Sequence, residues 1–287
     1  MIVGKIINLT IDDSGAGNEH LGLFGHIDNG QVCNMGIEVG SISGYWRIGG
    51  LVGDNTHGSV SDCYSTGDVN GIAEVGGLVG VNYGSVSNCY STSSVSGDRR
   101  IGDLVGMNAG SVSNCYSSGP VSGNKDVGGL LGYNLIFGSV SNCYSISDVS
   151  GPNYVGGLVG TNSGSVSYCY ATGDVYSVGL VGGLAGHNYS GNVANCFWDI
   201  DTQTHGVTDS FGKKTGTVTN VKGLPTTQMQ TRSTFTDADW DFINVWNIGE
   251  NQTYPYLRTV SPSDINKDHI TNLFDLCIIA DQWLKEQ

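Results

Sequence analysis

The hydrophobic pattern of this chain consists of short apolar runs separated by glycine, asparagine and serine. One six-residue phrase, Gly-Leu-Val-Gly-x-Asn or a close variant, ends at Asn55, Asn82, Asn108, Asn134, Asn162 and Asn188. A second phrase, most often Gly-Ser-Val-Ser-Asn-Cys-Tyr, follows each copy. The repeat length is about 26 residues, which is typical of stacked supersecondary units. Since each apolar run is about four to seven residues long between turn residues, we expect strands and not helices.

These strands predict an all-β fold, a right-handed parallel β-solenoid (β-helix) of about seven coils. The right hand follows from strand twist and the usual crossover preference. We assign residues 1–197 to the solenoid, 198–260 to a small mixed capping segment and 261–287 to a terminal EF-hand-like loop and helix. Tryptophans and other aromatic residues after Phe197 are the reason for expecting a cap.

Six cysteines share one position of the repeat, and they are Cys63, Cys89, Cys115, Cys143, Cys169 and Cys196. A disulfide framework is one interpretation. In a parallel in-register stack, however, equivalent residues lie about 4.8 Å apart with parallel Cβ directions, which is poor disulfide geometry. Met35 occupies the same position in a degenerate first repeat, so we predict a buried column of packed thiols.

The tyrosines after these cysteines are the candidate ligand-binding residues Tyr64, Tyr90, Tyr116, Tyr144 and Tyr170. Valine and cysteine in Val-Ser-Asn-Cys-Tyr differ in parity, so a straight strand cannot direct both inward. A straight strand puts valine and tyrosine in the core together, which is the interpretation we favour. A bend at Ser-Asn puts valine and cysteine inside and the tyrosines outside, as a platform for sugar rings.

Composition narrows the possible partners. The formal net charge is −14, with 26 acidic and 12 basic residues. Phosphate binding needs basic patches, so nucleic acid and anionic membranes are disfavoured as partners. No apolar stretch approaches the roughly 18 residues of a membrane span. The chain starts with a strand-like segment and no signal peptide, so we expect a processed or incomplete piece of a longer protein.

Catalytic motifs are missing from the sequence. It contains no Gly-x-Ser-x-Gly, no His-Glu-x-x-His and no phosphate loop. Asp68, Asp148 and Asp174 share a repeat position, but they follow turn residues and are better explained as solvated turn carboxylates. We therefore expect a protein that is not an enzyme.

The repeated phrases resemble the GLUG-motif family over about residues 1–197. The resemblance implies an extracellular or cell-surface location and a structural or adhesive role, with a glycan or a cell-surface protein as partner. It assigns no catalytic residue to the repeats. Two alternatives remain open: a non-catalytic accessory module of a polysaccharide-degrading enzyme, and a filament subunit that self-associates through the solenoid ends.

The last residues carry a calcium-loop pattern. Oxygen ligands recur at loop positions typical of an EF-hand, which here are Asp264, Asn266, Asp268, Ile270 (through its carbonyl), Asn272 and Asp275. The stretch resembles one half of a type I dockerin, which implies calcium as a cofactor and a cohesin-like partner. Two departures weaken that resemblance, because His269 stands where glycine is usual and only one loop is present.

Overall fold

The computed structural model describes residues 4–13 and 19–258. The chain divides into two compact units, residues 2–226 and residues 227–287, with Met1 assigned to the second. The first unit is a parallel β-solenoid of about eight turns, since its motif strands form one eight-stranded sheet. The all-β solenoid expected from the repeats is therefore confirmed.

The strands fall into four rows along the solenoid. Motif strands form the eight-stranded sheet: Phe24–Asp28, Val52–Thr56, Val79–Asn82, Val105–Asn108, Leu131–Asn134, Val159–Asn162, Ala185–Asn188 and Phe211–Lys214. The second row carries the Ser-Val-Ser phrase: Gln31–Cys33, Ser59–Ser61, Ser85–Ser87, Ser111–Ser113, Ser139–Ser141, Ser165–Ser167, Asn192–Asp199 and Thr217–Leu224.

The remaining strands complete each coil. The third row follows the cysteine position: Gly4–Asp12, Met35–Ser43, Tyr64–Asn70, Tyr90–Gly102, Tyr116–Ser117, Tyr144–Ser145 and Tyr170–Ala171. The fourth row leads back to the motif: Glu19–Leu21, Trp46–Gly49, Ala73–Gly76, Val121–Gly128, Asn153–Gly156 and Val181–Gly182. Two further short strands, Val149–Ser150 and Val175–Tyr176, continue the end of the third row through the first residues of Val121–Gly128. Rows two to four make up one 23-stranded sheet.

Neighbouring coils pair in parallel and in register, which brings the motif asparagines into one line. From Asn55 to Asn188, each side-chain amide donates to the carboxamide oxygen of the next at 2.8–3.0 Å. All six side chains are buried, so this asparagine ladder supplies hydrogen bonds where water cannot.

The core is built from the inward positions of every coil. Leucine and valine of the motif, valine of Ser-Val-Ser and all six repeat cysteines belong to one buried hydrophobic cluster. Each of the six is a free thiol, so the predicted thiol column is confirmed; Cys33, also free, is exposed. Each sulfhydryl donates to the carbonyl oxygen two residues earlier, as from Cys89 to Ser87 at 3.1 Å.

The straight-strand interpretation of Val-Ser-Asn-Cys-Tyr is wrong. Asp62, Asn88, Asn114 and Asn142 have φ of 53–54°, so the backbone bends at this point in each coil. The left-handed conformation is one that asparagine and aspartate adopt with little strain. The bend explains why valine and cysteine of opposite parity both reach the core, whereas the tyrosines are outside the core cluster.

Solenoid pairing continues beyond residue 197, the boundary suggested by the repeat phrases. Asn192–Asp199 pairs with Thr217–Leu224, with Cys196 opposite Val221 and Asp199 opposite Leu224. Trp198 is buried in this strand, and its indole N–H donates to Ser210 at 2.9 Å. The solenoid therefore has a further coil after Cys196, although the sequence there lacks the Gly-Leu-Val-Gly-x-Asn phrase.

The second unit, as far as it is described, is a small mixed structure. Helices span Thr226–Met229, at the division between the units, and Arg232–Thr236, while Trp246–Asn247 pairs antiparallel with Tyr256–Leu257. Its centre is an aromatic cluster in which Trp240 lies 4.8 Å from Phe235 and 4.7 Å from Trp246 between ring centroids. Among the described residues of both units, no helix has the length and apolar character that a bilayer crossing requires.

Candidate functional site: a variable groove along the solenoid

Two columns of side chains lie next to each other on the solenoid, and both vary from coil to coil. The left-handed column is the position two residues before the glycine that pairs with its equivalent in the next coil. It contains His20, Arg47, Glu74, Arg100, Asp126 and Tyr154. The motif column is the x position of Gly-Leu-Val-Gly-x-Asn and contains His26, Asp54, Val81, Met107, Tyr133, Thr161, His187 and Lys213. We call the surface between them the variable groove.

Glycine brings these two columns together. A Cβ on Gly132 would overlap the backbone of Arg100, and a Cβ on Gly160 would overlap the backbone of Asp126. The last glycine of the motif therefore lets the motif strand pack directly against the strand that carries the left-handed column. Constant glycines thus set the spacing across the groove, while the residues beside them differ.

The left-handed column is a strained place for large side chains. Arg47, Glu74, Arg100, Asp126 and Tyr154 have φ between 52° and 60°. For residues other than glycine, asparagine and aspartate this conformation costs about 1–2 kcal/mol each, so the strain applies to every member of this group except Asp126. A second column, which we call the bend column, has φ of 51–54° but uses asparagine at most positions; it consists of Asp62, Asn88, Asn114, Asn142, Tyr168 and Asn195. Keeping arginine, glutamate and tyrosine where asparagine would fit more easily indicates that these side chains serve a purpose.

At the first coils the groove is an ion-pair cluster. Arg47 donates to Asp54 at 2.8 Å and to the Nε2 atom of His20 at 3.0 Å. Asp54 is buried, and it also accepts from Thr56 at 2.9 Å. The Asp54 carboxylate is thus satisfied by cationic and hydroxyl donors.

The same cluster contains residue types that commonly bind metal ions. Ligand atoms of His20, His26 and Asp54 lie within 4.8 Å of one another, which a divalent ion could bridge. The Arg47 guanidinium, however, already donates to two of the three. A metal ion would have to displace this cation, so we interpret the cluster as an ion-pair network.

In the middle coils, residues of the left-handed column and the motif column interact through an ion pair, a sulfur contact and a cation–π contact. Arg100 donates to Glu74 at 2.5 Å, approaches the sulfur of Met107 at 3.7 Å, and lies over the ring of Tyr133 at 5.6 Å. Arg100 therefore contacts the coil before it, its own coil and the coil after it. The left-handed column joins neighbouring coils along the groove.

Aromatic residues dominate the later coils. Tyr154 stacks on His187 with 5.2 Å between ring centroids, and Lys125 lies over the Tyr154 ring at 5.8 Å. The Asp126 carboxylate is buried and accepts from the Thr161 hydroxyl at 2.6 Å. His187 is only 6% exposed, and burial together with the nearby Lys213 charge lowers its pKa. The imidazole is therefore neutral near pH 7.

The tyrosine column of the third row is a regular stack. Adjacent rings from Tyr64 to Tyr170 are nearly parallel, with centroids 4.9–5.1 Å apart. Tyr64 and Tyr90 are half-buried, whereas Tyr116, Tyr144 and Tyr170 are 7%, 0% and 1% exposed. Those three present no open ring face in this structure. Ligand binding by this column stays a prediction, confined here to Tyr64 and Tyr90.

Of the three shared aspartates, Asp148 and Asp174 lie between short strands, whereas Asp68 lies within the strand Tyr64–Asn70. Asp148 accepts from the Asp174 backbone N–H at 2.9 Å, and Asp174 contacts the Nδ1 atom of His205 at 3.0 Å. Asp174 also accepts the backbone N–H of Thr204 at 3.0 Å. The carboxylates of Asp148 and Asp174 order turns, as the sequence suggested, but the turn interpretation is wrong for Asp68. The predicted calcium loop, from Asp264 to Asp275, lies outside the described residues.

Sequence reasoning missed the variable groove. The sequence did contain a sign of it. Two positions of the otherwise constant repeat change from coil to coil, and several of the residues found there are charged or aromatic. What the sequence could not supply was their proximity, because residues 100 and 133 or 154 and 187 meet only through the stacking of coils.

Comparison with known proteins identifies the repeat. Residues 44–70, 73–96, 123–150 and 151–176 match the family described as the GLUG motif. The chain contains GLUG motif repeats. The glycines and asparagine that recur in these repeats are the structural positions described above, and the x of the motif faces the variable groove.

Two curated proteins share sequence with the GLUG repeats. A protein of Evansella cellulosilytica, provisionally named a Gly-rich membrane protein, is 35% identical over 105 residues, covering 32% of this chain and 11% of that protein. Halomucin of Haloquadratum walsbyi is 40% identical over 76 residues, covering 26% of this chain and 1% of halomucin. The matched region thus spans only a small part of each relative.

One solved structure aligns with most of this chain. It is a Bacteroides ovatus protein provisionally named an immunoglobulin A1 protease, 20% identical, with a TM-score of 0.49 over 90% of this chain and 75% of that one.

Proposed function

We propose that this chain is a non-catalytic binding segment of an extracellular or cell-surface structural protein. The GLUG solenoid is its scaffold, and the variable groove is the surface that contacts a glycan or a cell-surface protein. Adhesion is the role that follows from such a surface on a long repeat protein. Calcium bound by the residues from Asp264 to Asp275 is part of the proposal, since extracellular calcium is plentiful enough for a weak site.

The observation that carries the proposal is the division between constant and changing positions. Glycine, asparagine, leucine and cysteine recur because coil closure, the asparagine ladder and the core require them. The left-handed column instead keeps Glu74, Arg100 and Tyr154 in a strained conformation. Strain retained along one surface, while the bend column uses asparagine or aspartate at all of its positions except Tyr168, favours a recognition role.

Groove chemistry supports a polar ligand. Carboxylate, guanidinium, imidazole and phenol groups alternate along its length, and few of its residues are fully exposed. Such a mixture suits hydroxyl-rich or charged ligands better than apolar ones. The relatives, named a Gly-rich membrane protein and a halomucin, are consistent with a surface location.

The test compares the native chain with a groove variant that keeps the backbone. Glu74→Asn, Arg100→Asn and Tyr154→Asn together replace strained side chains by the residue that the bend column already uses. A control carries Thr92→Asn and Ser122→Asn, at exposed positions outside the groove. Both variants are screened with the native chain against immobilised glycans and cell-surface extracts, after circular dichroism confirms their folding.

We expect the native chain and the control to bind the same partner and the groove variant to lose at least tenfold in affinity. Equal binding by all three proteins would remove the groove from the proposal. Turnover of a bound polysaccharide by the native chain would contradict the non-catalytic role and favour the enzyme-module alternative.

A further inference from the structure

A cavity of about 420 Å³ lies in the later coils of the variable groove. Its walls include Arg100, Lys125, Tyr133, Tyr154, His187 and Lys213. All of these residues belong to the solenoid unit. The volume lies in the range of small-ligand sites.

Positive charge is concentrated at this cavity in an acidic chain. The whole protein has 12 lysines and arginines and a net charge of −14. Three of those twelve line this one cavity. Arg100 is paired with Glu74, but Lys125 and Lys213 form no ion pair with any residue in the described ranges. Asp126, also in the wall, is buried and held by Thr161. The cavity therefore offers two uncompensated cations to an anion.

A buried imidazole nitrogen is a second sign of a ligand. His187 is 6% exposed, yet its Nε2 atom has no hydrogen-bond partner among the described residues. Leaving a buried polar nitrogen unpaired costs about 1–3 kcal/mol. His187 forms part of the wall, but its Nε2 atom has less than 1 Å² of accessible surface, so a ligand oxygen in the cavity satisfies it only when a neighbouring wall side chain moves.

The aromatic side chains favour a ring-shaped ligand over a small inorganic ion. Tyr133 and Tyr154 hold Arg100 and Lys125 over their faces, which fixes these cations at the cavity wall. Tyr189, 59% exposed, meets His187 edge-on with 5.5 Å between centroids. It leaves a ring face available for the apolar side of a pyranose.

We propose that this cavity binds an acidic sugar residue of a surface polysaccharide. Its carboxylate or sulfate group pairs with Lys125 and Lys213, a ring hydroxyl meets the Nε2 atom of His187, and the pyranose face packs on Tyr189. This inference rests on the proposed function of the groove and specifies its substrate class. Carboxylated and sulfated sugars share the required chemistry, so the experiment must separate them.

The experiment is calorimetric titration of the full chain with four probes. These are oligogalacturonate, a sulfated galactan oligosaccharide, a neutral galactan oligosaccharide of the same length, and oligoglutamate. The test variant is Lys125→Gln/Lys213→Gln, and the matched control is Lys214→Gln/Lys222→Gln, which removes the same charge from exposed positions outside the cavity wall. Thermal unfolding checks that all three proteins fold.

We expect an acidic oligosaccharide to bind the native chain and the control equally, and the test variant about tenfold more weakly. A His187→Ala variant should also weaken binding of the same sugar. The tighter of the galacturonate and sulfated probes identifies the anionic group.

Other outcomes overturn the inference. Neutral galactan binding as tightly as the acidic probes would refute it while leaving the groove as a glycan site. Oligoglutamate binding as tightly would replace the sugar by an acidic peptide. Equal losses in test and control variants would mean general charge attraction. No binding of any probe would refute it, and the proposed function would then depend on the screen with cell-surface extracts.

Discussion

Asp103 makes the stability of the solenoid depend on pH. The equivalent position in the other marked coils is glycine, as at Gly77 and Gly129. Asp103 is fully buried, and its carboxylate accepts from the Ser91 hydroxyl at 2.6 Å and from the Gly119 backbone N–H at 2.6 Å. Backbone N–H groups of two further serines donate at 3.1 and 3.0 Å. These donors favour the charged form.

Burial nevertheless outweighs the four donors. Loss of hydration raises the pKa of Asp103 from 3.8 to about 6. Such a shift means that the folded chain holds a proton which the unfolded chain releases between those two pH values. Since one pKa unit corresponds to about 1.4 kcal/mol, ionisation of this group lowers the free energy of unfolding by about 3 kcal/mol.

The sign follows from the raised value. The stabilisation that the protonated Asp103 side chain gives the folded chain is fully present below about pH 3.8 and is lost as the pH rises through about 6. The perturbation is Asp103→Gly, which restores the residue that the other coils carry. Its stability relative to the native chain should improve by about 2 kcal/mol between pH 4 and pH 7, because a small part of the change already occurs below pH 4, and this holds whatever its stability at one pH.

Urea unfolding followed by tryptophan fluorescence, repeated at half-unit steps from pH 4 to pH 7.5, measures this difference. The control Asp68→Asn removes a carboxylate from an exposed position and should keep the pH profile of the native chain. Parallel profiles for the native chain and Asp103→Gly would refute the reasoning, because the buried carboxylate would then not titrate in this range.

The remaining predictions concern the ladder, the thiols and the calcium loop. Asn134→Ala removes the group that accepts from one neighbouring asparagine at 2.9 Å and donates to the next at 2.8 Å. It should cost about 3 kcal/mol in urea unfolding, because two buried polar groups lose their partner; a loss below about 0.5 kcal/mol would show that the ladder adds little. In a Cys277→Ser background, Ellman's reagent should label Cys33 at once and the six core thiols only on unfolding, since those six are buried; rapid labelling of more than one thiol would contradict the packed column. Calcium should bind with a dissociation constant of about 10⁻⁴–10⁻³ M, and Asp264→Ala/Asp268→Ala should abolish the calorimetric heat; equal heats from both proteins would leave the loop as a helix cap.

Periodicity in the sequence determined the scaffold of this protein. A fixed repeat forces equivalent residues into columns, so Cys89 must lie near Cys115 and Asn108 near Asn134 once the coils stack in register. The same logic gave free thiols, since parallel Cβ directions oppose disulfide geometry. These conclusions needed only the period and the chemistry of one residue type per column.

The pattern of apolar and polar residues did not predict the local backbone conformation. Alternation alone favoured a straight strand through Ser-Asn-Cys, whereas a left-handed residue such as Asn88, with φ of 53°, bends each coil. The last coil was also hidden, because Thr217–Leu224 pairs in register without the motif. Backbone hydrogen bonds and burial decide pairing, and they tolerate many side chains at one position.

Only the tertiary structure decided where the variable groove lies. Its two columns are separate in the repeat, and Tyr154 meets His187 from the following coil. The columns touch because glycines such as Gly186 leave room for the neighbouring backbone. A repeat sequence fixes what recurs, whereas recognition depends on the residues that change, and only stacking brings those residues together.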